Sequence, residues 1–102
     1  MKGRMTIAAA HAAIAASDDD GYGILLRNGT LELGCYAPRG SDPQQPHDQD
    51  EIYIAQSGSG TFVLDGKRQP FETGEALFVP AGVTHHFENF TDDFAAWVVF
   101  YG

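Results

Sequence analysis

From Asp18 to the end of the chain, turn chemistry interrupts every β-rich run before it can lengthen. Asn28-Gly29 separates residues 22–27 from 30–36, and Asp65-Gly66 separates 61–64 from 67–71. Dipeptides of this kind supply the left-handed backbone that a two-residue hairpin needs, and between β-rich runs they are the strongest short hairpin signal. Gly58 and Gly60 divide residues 51–56 from 61–64, Gly74 and Pro80-Ala81-Gly82 bracket 75–79, and Thr91-Asp92-Asp93 joins 85–90 to 94–101. About eight short strands result, with no helical apolar periodicity after residue 17. The fold class is therefore predicted to be all-β, as a jelly-roll barrel or an immunoglobulin-like sandwich. The Cys, Trp, Cys spacing of the sandwich is missing, which favours the barrel. Residues 95–101 are almost wholly apolar and read as a central strand covered on both faces, or as an oligomer contact.

A chain of 102 residues with 43% apolar side chains suits one domain with a real core. The expected division is a helical segment at 1–17 followed by the barrel at 18–102. Lys2 and Arg4 ahead of the Ala-rich stretch 6–16 look like a short secretory signal, but His11 interrupts the run and leucine is absent from it. Ile7, Ala10, His11 and Ile14 share one helical stripe, so a docked N-terminal helix is the preferred reading, with His11 a packing or solvent residue.

Fourteen acidic side chains stand against six basic ones, a net charge of -8, and the basic residues are scattered. That excludes nucleic acid and anionic membranes as expected partners. The single cysteine, Cys35, forms no intramolecular disulfide and has no activating neighbour in sequence, so a reducing, cytoplasmic setting is expected and a nucleophilic role is not.

Polar residues able to carry chemistry gather in two segments, 40–58 and 74–89. In extended chain, residues two apart share a face, which groups Gln45 with His47, and His85 with Phe87 and Asn89. His86 then faces away. Tyr53, two residues from Glu51, and Phe87, two from His85, are expected to line a substrate pocket.

The second segment carries Gly74, Pro80, Gly82, His85 and Asn89 in the spacing G-x5-P-x-G-x2-H-x3-N, and the first carries His47, Glu51 and Gly58 in the spacing H-x3-E-x6-G. In these residues the chain resembles the cupin superfamily, in its small conserved-barrel type. It departs from that pattern at the first histidine, where Gln45 stands, and Gly40 lies one residue nearer than the pattern asks. The resemblance implies a jelly-roll barrel that binds one divalent metal ion through His47, Glu51 and His85. Gln45 is the expected fourth donor and Gln49 its substitute. Independently of any family, two imidazoles and a carboxylate suit Fe(II) with open positions, and they also accept Mn, Zn or Ni. The function expected is metal-dependent binding of a small polar metabolite, with dioxygenase or isomerase chemistry. The alternative is a non-catalytic ligand-binding or structural cupin. A homodimer is expected, with either Trp97 or Phe100 filling the barrel and the other facing outward.

Overall fold

The computed structural model describes residues 3–102; Met1 and Lys2, the start of the expected 1–17 segment, lie outside the described residues. One helix, α1 (Ile7–Ala16), precedes eight strands: β1 (Tyr22–Asn28), β2 (Leu31–Tyr36), β3 (Asp50–Ser57), β4 (Gly60–Leu64), β5 (Lys67–Phe71), β6 (Ala76–Val79), β7 (His85–Glu88) and β8 (Ala95–Tyr101). They form two antiparallel sheets, one ordered β1-β2-β8-β3-β6 and the other β5-β4-β7. No helix among the described residues is long and apolar enough to cross a membrane.

The period-two alternation of β3 decides which side chains meet between the sheets. Glu51, Tyr53 and Ala55 are buried, whereas Ile52 and Ile54 look outward. On β7 the same alternation buries His85 and Phe87 and turns His86 and Glu88 out. Between the sheets Tyr53, Phe62, Phe71, Phe87 and Phe94 pack as a chain of tilted and edge-on rings, with neighbouring centroids 4.7 to 6.4 Å apart. Such geometry sets ring edges against ring faces, the arrangement aromatic pairs favour. β8 lies between β2 and β3, which explains its apolar composition on both faces.

Two details differ from the sequence-based expectation. Asn28 pairs with Leu31, so the first hairpin loop is Gly29-Thr30 rather than Asn28-Gly29. Gly29, at φ 61°, alone needs the left-handed region there, the pattern of a turn with glycine at its first central position. In α1, Ile7 is 54% exposed, and the docking contacts come from Ala10, Ala13 and Ile14. Thr6 caps the helix, its hydroxyl accepting from the Ala9 amide at 3.0 Å.

Candidate metal centre

Three elements bring the site together. Glu51 points inward near the start of β3, opposite Phe100 of β8. His85 opens β7 on the other sheet. His47 comes from the irregular stretch before β3, and its ring is held edge-on against Phe100, with centroids 4.9 Å apart. The Gly82 amide donates to the His47 carbonyl at 2.7 Å, so the turn that precedes β7 also fixes the position of His47.

His85 Nε2 lies 3.1 Å from Glu51 Oε1, and His47 Nε2 lies 4.0 Å from the same oxygen. Despite that closeness neither contact has hydrogen-bond alignment, and all three atoms are buried without a hydrogen-bond partner. The Val83 carbonyl sits 3.0 Å from His85 Nδ1 and, being an acceptor only, takes a hydrogen bond from the Nδ1–H. Neutral His85 therefore aims the Nε2 lone pair at the Glu51 carboxylate. Glu51 is 1% exposed and His85 3%, so little water is present to offset this opposition of lone pairs. Burial pulls the His85 pKa down, but the Glu51 carboxylate and the Val83 carbonyl push it up and prevail.

A proton on His85 answers one of these contacts and leaves His47 Nε2 unsatisfied. A divalent cation answers all three. The donor atoms lie within 4.8 Å of one another, and ligands about 2.1 Å from one ion in adjacent octahedral positions are about 3 Å apart, so the set fits a metal without large rearrangement.

Gln45 is not brought to this group. It is exposed and does not line the cavity that opens over His47 and Glu51. Pro43 and Pro46 keep this stretch out of any strand, where alternation by two does not hold, and Gln44 takes the inward position instead. Its carboxamide is committed elsewhere: Nε2 donates to Asp42 Oδ2 at 2.6 Å, and Oε1 accepts from the Tyr53 hydroxyl at 2.6 Å. Gln49 lines the cavity but donates to the Thr30 carbonyl at 2.8 Å. His86 faces outward and meets Glu88 at 2.8 Å. Glu88, also held by Arg68, has its carboxyl pulled down to about 2 by Arg68 first and His86 second.

The expected pocket pair divides. Tyr53 lines the cavity, and burial with the nearby Glu51 charge raises its phenol well above the ordinary range. Phe87 is 2% exposed inside the aromatic core and does not line it. Trp97 and Phe100 do lie on opposite faces: Phe100 lines the cavity and Trp97 packs beneath α1 with Cys35. Asp42 was missed by sequence reasoning. Its carboxylate accepts from the Tyr36 hydroxyl, from Gln44 and from the Phe87 amide at 2.8 Å, anchoring the His47 stretch to β7. Its position beside Pro43 reads as ordinary loop, and nothing in local sequence signals the partner on β7.

The Cupin domain family model matches residues 32–101. The chain belongs to the cupin family. It is 34% identical over 87 residues to an uncharacterised protein of Streptomyces coelicolor, covering 83% of each chain. A shorter match, 36% over 56 residues, is to the HTH-type transcriptional activator RhaS of Mannheimia succiniciproducens, covering 55% of this cupin and 21% of the activator. Among solved structures, a Cupin 2 conserved barrel domain protein of Salinispora arenicola is 27% identical with a TM-score of 0.68, over all of this chain and 89% of that one.

Proposed function

We propose that this cupin binds one divalent metal ion through His47, Glu51 and His85 and uses it to hold a small polar metabolite for dioxygenase or isomerase chemistry. The observation that carries the reading is the convergence of three buried, unpartnered donor atoms from three separate segments. When bound, Fe, Mn, Zn or Ni would supply Lewis acidity and, for Fe, a site for oxygen. The chain's own part is positional. Glu51 is a ligand rather than a free base, Phe100 packs against His47, and the Tyr53 phenol stays protonated and directed at Gln44. The cavity over the site has a volume of about 550 Å³, within the range that accepts a small metabolite.

A second reading is binding without turnover, favoured by the match to part of a transcriptional activator. Turnover of a bound metabolite separates the two. We also place the protein in the cytoplasm, where the buried Cys35 thiol stays reduced, and propose that it works as a homodimer.

The test of the centre is elemental analysis of purified protein with calorimetric titration of Mn²⁺ and Zn²⁺. His47→Ala and His85→Ala should each lower affinity at least tenfold, and His86→Ala should leave it unchanged. Equal losses in all three variants would remove the proposed site.

A further inference from the structure

We propose that the ligand of this cavity is an amine-bearing small molecule, which meets the metal through an oxygen at its inner end and turns a protonated amine toward the rim. The proposal rests on the metal reading above and adds a charge class that the metal site alone does not specify.

The inner end is marked by the unpartnered Glu51 oxygen, on a side chain 1% exposed that lines the cavity, with the unpartnered His85 nitrogen 3.1 Å from it. An ion there leaves local positive charge that a ligand oxygen can meet. The rim has the opposite character. Asp19 and Asp20, from the turn before β1, and Asp48, beside His47, line the cavity as exposed carboxylates. Glu32 lines it too, but Arg27 engages it at 3.1 Å. Arg39 is the one Lys or Arg among the described residues that line the cavity, and it aims an N–H at the Asp92 carbonyl. One cation thus stands against three carboxylates.

Hydrogen-bond supply points the same way. The Tyr22 hydroxyl donates to Glu32 at 2.7 Å, the Tyr36 hydroxyl to Asp42, and the Tyr53 hydroxyl to Gln44. All three hydroxyls are therefore donors already in use. A carboxylate or phosphate needs donors to replace its water, and here the phenols are committed to the protein's own acceptors. The rim carboxylates are acceptors with capacity to spare, which matches an ammonium group with three donors.

The experiment uses Co²⁺-loaded protein and three hydroxamic acids of equal chain length, ending in an ammonium, a hydroxyl or a carboxylate. The hydroxamate provides the same metal-binding head in each. By calorimetry in 20 mM salt the ammonium tail should bind at least tenfold tighter than the carboxylate tail, with the hydroxyl between them. The gap should narrow in 500 mM salt, where screening shortens to roughly 4 Å, and in the triple variant Asp19→Asn, Asp20→Asn, Asp48→Asn. Equal affinities, or preference for the carboxylate, with Co²⁺ bound would overturn the charge class and leave the metal reading standing. Failure to bind Co²⁺ would overturn both.

Discussion

Asp42 shows how much of the site depends on a residue that touches no metal ligand. Its carboxylate takes up the Tyr36 hydroxyl, the Gln44 amide and the Phe87 backbone N–H, two residues along β7 from His85. Hydrogen bonds to a charged acceptor are worth about 1.5–3 kcal/mol, and a buried donor left without one is a further cost. Asp42→Ala should therefore destabilise the fold by about 2–3 kcal/mol in urea denaturation, and exchange of the Phe87 amide should accelerate. An unchanged Phe87 exchange rate would show that the carboxylate does not hold that strand. His47, Glu51 and His85 were legible because their spacing is local and repeats a known pattern. Asp42 was not, because its partners are a phenol, an amide and a backbone group brought together only by folding. Gln45 misled for a related reason: two prolines had removed the alternation on which its inward position depended.

At the scale of elements, every strand was legible to within about two residues, since glycine-bearing turns fix strand ends by backbone geometry alone. Asp65 and Gly66, at φ 51° and 77°, form the expected two-residue hairpin between Leu64 and Lys67. The helix was legible as an element, and its face in part: Ala10 and Ile14 of the expected stripe pack on the sheet, whereas Ile7 is exposed and Ala13 takes its place. Ala10 and Ala13 give close approach instead of bulk, and the reason lies on β1. A Cβ at Gly23 would sit 2.4 Å from the Ala13 carbonyl carbon and the Ile14 nitrogen, both backbone atoms that cannot yield without moving the helix. Gly23→Ala should then cost about 1–3 kcal/mol, the range for overpacking, and lower Tm by roughly 5–15 °C. Two probes lie under the helix. Cys35 is fully buried with its thiol pushed up to about 11 by burial, so alkylation at pH 8 should be slow in the parent and faster in the variant. Trp97 emission should shift to the red as its cover lifts. Unaltered thiol reactivity would mean that the helix accommodates the methyl group in place.

Across the whole molecule, an excess of acidic charge makes copies of this chain repel one another over most of their surface. The outer face of the five-stranded sheet is the exception. Leu33 pairs with Val99, Val99 with Ile52, and Ile52 with Phe78, an uncharged row across four strands, and Trp97 and Ile54 form a second row beside it. α1 packs on β1 and β2 and leaves the β3 and β6 side uncovered, with Ile54 39% and Phe78 49% exposed. The homodimer proposed above would set a second copy on this face, because apolar rows related by a two-fold axis meet their own kind and keep the acidic surfaces apart. Light scattering at micromolar concentration should give twice the 11.0 kDa chain mass. Phe78→Glu should return it to that of one chain, since the substitution sets like charges opposite each other in a desolvated contact. The melting temperature of Phe78→Glu should lose the dependence on protein concentration that a dimer imposes on the parent. A parent that scatters as a single chain would remove the dimer and leave these rows as bare surface.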